Sequence, residues 1–102
     1  MSDPRSRFAA YVPARSTVLI DGPRQRTTEW RFPPGAHTGW HRHGMDYVVV
    51  PLTTGDLLIV DDQGERRAGM TAGVPYERTA GVEHDVANPN DFEFVFLEIE
   101  LR

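Results

Sequence analysis

The sequence predicts an all-β domain, either a sandwich or a barrel. Eight prolines and nine glycines recur at short intervals along the 102 residues, and the runs between them are rich in β-branched and aromatic side chains. No long stretch shows the 3.6-residue apolar period of a helix. Many short strands separated by closely spaced turns are typical of sandwiches and barrels. A chain of this length forms one compact domain.

Turn-favouring residues divide the chain into nine predicted strands. Turns are predicted at Asp-Gly-Pro (21–23), at Pro-Pro-Gly (33–35), at Gly44 and at Asp-Asp-Gln-Gly (61–64). The predicted strands are 16–20, 27–32, 40–43, 47–50, 56–60, 65–68, 74–79, 83–87 and 92–101.

The last predicted strand is apolar on both faces. Phe92, Phe94 and Phe96 alternate with the aliphatic side chains of the other face. A strand in a lone antiparallel sheet usually has one polar face. We therefore expect a second sheet, a terminal segment or a partner subunit to cover it, and a homodimer is predicted. The polar residues 1–14 are predicted to be loosely ordered or draped over a barrel domain of residues 15–102.

Composition excludes several function classes. The formal net charge is −4 and the arginines are scattered, so nucleic acid is not an expected partner. The chain has no cysteine, which excludes disulfides, a thiolate nucleophile and a Cys-based zinc site. No apolar stretch follows the charged start, and none is long enough to cross a membrane. A cytoplasmic protein without a membrane partner is expected.

The most informative motif is the pair His41 and His43. Side chains two residues apart on a strand point to the same face, so these imidazoles would converge. Imidazole binds zinc, copper, iron and nickel, and a metal site needs further ligands from elsewhere in the chain. His84 follows later in a glycine-framed segment, whereas His37 is more consistent with a loop residue than with a ligand.

The spacing around these histidines resembles the two motifs of the cupin superfamily. Glycine, five residues and His-x-His form the first motif. The second has glycine, proline, glycine, histidine and asparagine at fixed spacing, with Thr79 here in the proline position. The matching residues are Gly35, His41 and His43, then Gly73, Gly81, His84 and Asn88. The resemblance implies a single jelly-roll barrel of two packed antiparallel sheets, with a metal in its mouth bound by the three histidines.

The chain departs from the cupin pattern where a glutamate ligand is expected, because Tyr47 and Val48 occupy those positions. Asp46 lies one residue early, and Asp46 and Tyr47 could both face inward only if a bulge intervened. Two ligand sets therefore remain open: the three histidines alone, which we favour slightly, or the histidines with Asp46. The sequence is also similar to small single-domain bacterial cupins associated with beta-alanine degradation.

Four side chains are candidates for a substrate pocket beside the metal: Trp40, Tyr47, Tyr76 and Arg78. An inward-facing Arg78 would hold a carboxylate with two hydrogen bonds. The first functional hypothesis is a metalloenzyme with dioxygenase-like or Lewis-acid chemistry on a small carboxylate-bearing metabolite, using iron, zinc, manganese or nickel. The alternatives are a non-catalytic small-ligand binding or sensor module and a metal-free structural scaffold. The sequence alone leaves open whether the protein is an enzyme.

Overall fold

The fold is a jelly roll of two packed sheets, seen in a computed structural model that describes residues 3–102. One sheet has the strand order β1-β4-β10-β7-β8, with β5 also paired to β10, and the other has the order β2-β3-β11-β6-β9. All pairs are antiparallel except β1 with β4. The strands are β1 (Val12–Pro13), β2 (Arg15–Asp21), β3 (Gln25–Phe32), β4 (Ala36–His37), β5 (His41–Arg42), β6 (Tyr47–Pro51), β7 (Gly55–Asp61), β8 (Gly64–Met70), β9 (Tyr76–Arg78), β10 (Glu83–Ala87) and β11 (Phe94–Leu101).

The predicted all-β class is confirmed, and the strand bounds differ mainly where strands are short. The predicted strand 40–43 is reduced to β5, and 74–79 is reduced to β9. The two-residue strands β1 and β4 were not predicted, because two residues carry no alternation that a sequence pattern could reveal. Among residues 3–102 the structure contains one 3₁₀ turn, Pro4–Ser6, and no α-helix, so nothing there is long enough to span a membrane as a helix.

The main core lies between the two sheets. Alternate residues of β11 face inward, so Phe94 and Phe96 pack against Phe32 of the neighbouring strand and against Leu57 and Ile59 of the opposite sheet. Leu57, Ile59 and Phe96 of this core also line the cavity described below.

The N-terminal segment covers the outer face of the first sheet. Phe8 is completely buried and packs with Leu58, Val60 and Ala87, which point outward from β7 and β10. The sequence allowed a loosely ordered or a draped segment over 1–14. In the structure Phe8 and Tyr11 pack on this outer face, where Phe8 buries its apolar ring, and Val12–Pro13 then join the edge of the first sheet as β1. Residues 1 and 2 of that predicted segment lie outside the described residues.

Strand β2 is the exposed edge of the second sheet. All seven of its residues are exposed, and it pairs only with β3 through a bulge at Leu19. Val18, Leu19 and Ile20 are each between 43% and 54% exposed. The N-terminal segment thus covers the outer face of β7. On β11, for which the sequence analysis expected a cover, Leu97 and Ile99 are half-buried and Leu101 is exposed, and nothing in the described chain covers β2.

Candidate metal centre and cavity

Backbone pairing brings three histidines together. His41 on β5 and His84 on β10 are directly opposite each other in an antiparallel pair, so their side chains share a face. His43 follows β5, donates its N–H to the carbonyl of Val82 and accepts at its own carbonyl from the N–H of Gly81, both at 2.8 Å. The extended backbone keeps His43 on the same face as His41.

The three imidazoles meet through their Nε2 atoms. The distance from His41 Nε2 to His43 Nε2 is 2.9 Å, and that from His43 Nε2 to His84 Nε2 is 3.2 Å. Among residues 3–102 this is the one group of three or more His, Asp or Glu side chains whose ligand atoms all lie within 4.8 Å of one another. Two of the rings are buried and the third is half-buried.

The other ring nitrogens have their own partners. His41 Nδ1 lies 2.8 Å from the carbonyl oxygen of Gly39. A carbonyl oxygen only accepts hydrogen bonds, so this contact requires the tautomer of His41 that carries its hydrogen on Nδ1. His43 Nδ1 lies 3.7 Å from Oε1 of Glu98. For His41 this arrangement leaves the Nε2 lone pair directed at the cluster, and for His43 it places a carboxylate behind the ring, as is usual for histidines that bind metals.

The cluster favours neutral imidazoles. Burial, followed by the charge of His41, lowers the pKa of His43 to about 4. Burial and the charges of the other two histidines lower the pKa of His84 to about 3. Neutral imidazole is the form that binds metal ions, so these rings are held in the ligating state at neutral pH.

Glu98 is a site residue that the sequence analysis missed. It lies on the inner face of β11, after Phe94 and Phe96, and lines the same cavity as the histidines. Burial raises its pKa to about 7, with a smaller contribution from the charge of Glu100. The two-residue period shared with the two phenylalanines was the available signal, because it places Glu98 on the buried face.

Tyr47 occupies the position where a cupin glutamate is expected, and Asp46 points elsewhere. Tyr47 stacks on the His43 ring, with ring centroids 3.8 Å apart. The Asp46 side chain is exposed, and its Oδ1 accepts a hydrogen bond from the N–H of Ala80 at 2.7 Å. The structure thus places Asp46 outside the histidine cluster, because β6 begins at Tyr47 and turns that residue, with Val49, inward.

The histidines lie in a cavity of about 360 Å³ between the two sheets. Of the predicted pocket residues, Tyr47, Tyr76 and Arg78 line it, as does Arg66, which was not predicted. Trp40 does not line it. Its side chain packs beside Phe8 on the outer face, and its Nε1 donates to Glu83 Oε1 at 2.7 Å. Trp40 faces outward because it alternates with His41 along the chain.

A buried aspartate supports the loop that precedes His41. Asp85 is 1% exposed, and its carboxylate lies 3.0 Å from Nδ1 of His37 and accepts from the N–H of Gly39 at 3.0 Å. Thr38 Oγ1 lies 3.3 Å from His41 Nδ1 and 3.4 Å from Asp85 Oδ1. His37 is therefore part of this support and lies outside the cluster of Nε2 atoms.

Comparison with known proteins agrees with this architecture. No family model matches the chain. It is 55% identical over 86 residues to the beta-alanine degradation protein BauB of Pseudomonas aeruginosa, covering 84% of this chain and 90% of the relative. A cupin domain from Bordetella pertussis Tohama I has a TM-score of 0.89 at 58% identity, covering 90% of this chain and 96% of that one.

A solved structure with lower sequence identity supports the assignment of the fold and nothing more. A cupin superfamily protein from Desulfitobacterium hafniense DCB-2 has a TM-score of 0.68 at 20% identity, over 89% of this chain and 79% of the other. The jelly-roll topology, the two histidine motifs and the extent of the similarity to BauB lead to one conclusion. The chain belongs to the cupin superfamily, among small bacterial cupins that resemble the beta-alanine degradation protein BauB.

Proposed function

We propose that this protein is a metal-binding cupin in which His41, His43 and His84 hold a divalent transition metal. The observation that supports the proposal best is the convergence of three Nε2 atoms at 2.9 and 3.2 Å. Ligand nitrogens about 2.0–2.1 Å from a tetrahedral ion are roughly 3.4 Å apart. The cluster is thus close to the spacing that a shared ion requires.

The electrostatics of the cluster also favour a metal. His41 commits its Nδ1 proton to the Gly39 carbonyl, so its Nε2 presents a lone pair to the His43 ring. Nitrogen lone pairs facing one another in a partly buried site are unfavourable unless a proton or a cation lies between them. The lowered pKa values of His43 and His84 disfavour a second proton on either ring. Because His43 Nε2 meets both neighbours, a neutral tautomer satisfies only one of the two contacts, whereas a cation would satisfy all three nitrogens.

The ligand set that we propose contains the three histidines without Asp46. Three protein ligands leave coordination positions open, as catalytic sites require. When bound, a divalent metal such as iron, zinc, manganese or nickel supplies Lewis-acid or oxygen-activating chemistry. The protein's own contribution is to orient the rings through Gly39 and Glu98 and to shape a small cavity beside them.

The function we favour within this proposal is an enzyme that acts on a small carboxylate-bearing metabolite. The relative BauB is named for beta-alanine degradation, and that name agrees with a small acid as substrate. A binding or sensor module would use the same metal and cavity without turnover. Oxygen consumption or product formation from small acids by the metal-loaded protein separates the two, and a metal-free scaffold would show neither metal binding nor turnover.

Calorimetric titration of metal-free protein with Zn²⁺ or Mn²⁺ tests the metal site. We expect one equivalent to bind, and we expect alanine at His41, His43 or His84 to weaken binding by at least 100-fold. Asp46→Asn is the control, because the Asp46 side chain accepts a hydrogen bond from the Ala80 N–H outside the cluster. Unchanged affinity in the three cluster variants would disprove the proposed site.

A further inference from the structure

The shape of the cavity restricts what it can hold. Its walls are mostly apolar, and its volume of about 360 Å³ is near the lower end of the usual range for ligand pockets, about 300–1,000 Å³. The polar groups are concentrated at the histidine cluster and around two arginines. The apolar lining is Trp30, Val49, Leu57, Ile59, Val82, Val86 and Phe96. A ligand that fits must therefore be small, with an apolar body and few polar groups.

Two arginines reach this cavity from different sheets. Arg66 lies on β8 and Arg78 on β9, which are edge strands of the first and second sheet respectively, and both side chains line the cavity. The open side between the two sheet edges therefore presents two guanidinium groups to one space.

In the described chain, only one of these two arginines is paired with a carboxylate, which leaves positive charge available to a ligand. Arg66 Nη1 lies 3.2 Å from Oδ2 of Asp61, which offsets one of the two charges. No carboxylate among residues 3–102 lies within 4.0 Å of the Arg78 side-chain nitrogens, and its guanidinium lies 5.5 Å from the centroid of the Tyr76 ring. Guanidinium groups bind carboxylates in a planar, two-bond geometry, so this cavity favours a carboxylate.

A buried hydroxyl provides a second, independent indication of a ligand. Tyr47 is 2% exposed and lines the cavity, yet its hydroxyl has no hydrogen-bond partner in the described part of the chain. An unsatisfied buried hydroxyl costs roughly 1–3 kcal/mol, so such groups usually serve a ligand or a bound water. A tyrosine hydroxyl carries its proton at neutral pH, so this group is available as a donor to a ligand.

We infer that the cavity binds a small aliphatic monocarboxylate, with its carboxylate held by Arg66 and Arg78 and its apolar body against the walls between the sheets. This inference rests on the proposed function only in placing the other end of the ligand toward the histidine cluster. It deepens that proposal by naming two residues that select the acid, one of which the sequence analysis did not identify.

Titration by NMR with butanoate and its neutral analogue butanamide tests the inference. In metal-free protein we expect butanoate to bind saturably and at least 10-fold more tightly than butanamide. Arg66→Gln and Arg78→Gln should each weaken butanoate binding about 10-fold and leave butanamide binding unchanged. The matched control is Arg67→Gln, since Arg67 neighbours Arg66 on β8 but pairs with Asp56 and does not line the cavity.

Equal binding of acid and amide, or an equal loss in Arg67→Gln, would overturn the inference, as would no binding of butanoate. Repeating the titration with Zn²⁺ present separates this result from the metal proposal. Butanoate binding that depends on Arg66 and Arg78 without metal supports the inference even if the histidines bind no ion. Butanoate binding that requires Zn²⁺ and ignores both arginines would place the carboxylate on the metal and disprove it.

Discussion

Three buried titratable residues meet at the cluster, and their pKa values are shifted in opposite directions. His43 and His84 have pKa values of about 4 and 3, below the ordinary 6.5, and Glu98 has a pKa of about 7, above the ordinary 4.5. Burial is the largest cause in each case, because it disfavours whichever form carries charge. The carboxylate behind His43 is thus partly protonated at neutral pH in metal-free protein.

These shifts predict how the stability of metal-free protein depends on pH. The unfolded state binds protons at His43 and His84 below pH 6.5 and the folded state does not, so the free energy of unfolding falls as pH decreases from 6.5 toward 4. Glu98 has the opposite sign. The stabilisation that Glu98 adds to the free energy of unfolding is complete below pH 4.5 and is lost as pH rises through about 7.

Urea unfolding of metal-free wild type and Glu98→Gln from pH 8 to pH 4.5 checks this prediction. Wild type should change little in stability from pH 8 to 6.5, because the gain from Glu98 offsets the loss from the two histidines, whereas Glu98→Gln should lose stability over that range. Below pH 6.5 the variant should lose stability more steeply, because the opposing Glu98 contribution is absent. The difference between the two proteins should be on the order of a few kcal/mol, at about 1.4 kcal/mol per pKa unit. Parallel curves would show that Glu98 is not buried in this way.

At the scale of elements, the segment between β4 and β5 positions His41, and β10 holds that segment. Asp85 of β10 contacts His37 and the Gly39 N–H, and the Gly39 carbonyl accepts a hydrogen bond from His41 Nδ1. Since His84 is the neighbouring residue on β10, one strand supplies a ligand toward the cavity and the supporting carboxylate toward the other face.

This support predicts that Asp85→Asn weakens metal binding without removing a ligand. Asn carries no charge, and its NH₂ group would replace the second carboxylate oxygen, which lies 3.0 Å from His37 Nδ1, so the contacts that hold this segment are weakened. We expect metal affinity to fall about 10-fold or more and the free energy of unfolding to fall by roughly 1–3 kcal/mol. Calorimetric metal titration and the visible spectrum of the Co²⁺ form measure the change at the metal directly.

Asp46→Asn is the control for this variant, because Asp46 binds the Ala80 N–H away from the cluster. Its metal affinity and Co²⁺ spectrum should match those of wild type. A normal affinity and spectrum in Asp85→Asn would mean that the segment before His41 holds its conformation without the carboxylate.

The sequence predicted the histidine cluster because fixed spacing and strand alternation carry that information. Strand alternation also explains why two predicted site residues lie outside the cavity. Trp40 alternates with His41 and faces outward, and Asp46 precedes the inward-facing Tyr47. Glu98 was missed because it is 55 residues from His43, and only the register of β11 in the second sheet brings the two together.

For the whole molecule, the all-β class and the two-sheet barrel followed from turn spacing and the two histidine motifs. The position of the N-terminal segment did not, because one phenylalanine in a polar stretch has no periodic partners. Phe8 is buried against Leu58, Val60 and Ala87, which form one apolar outer face once β7 has paired with β10. Such a contact depends on tertiary structure and not on local pattern.

The predicted homodimer remains a proposal, and strand β2 is where we place the contact. Its outer edge has free backbone donors and acceptors, it contains neither lysine nor proline, and its aliphatic side chains are uncovered. Such an edge readily pairs with another strand, and a second copy presents the same edge about a two-fold axis.

Analytical ultracentrifugation measures this directly against the chain mass of 11.5 kDa. We expect twice that mass for wild type and for Val74→Lys, which changes another exposed valine, outside β2. Val18→Lys should sediment as a monomer, because it places charge at the edge contact. A wild-type monomer at high concentration, or a dimer that persists in Val18→Lys, would disprove pairing through β2.

The central claim is that the three histidines bind a divalent metal in the native protein. Elemental analysis of folded protein, purified without added metal or chelator, tests it most directly. We expect close to one equivalent of iron, zinc, manganese or nickel per chain in wild type. We expect a small fraction of that in His84→Ala, with the fold of the variant verified by circular dichroism. Folded wild-type protein that contains none of these metals, and takes none up when they are supplied, would contradict it.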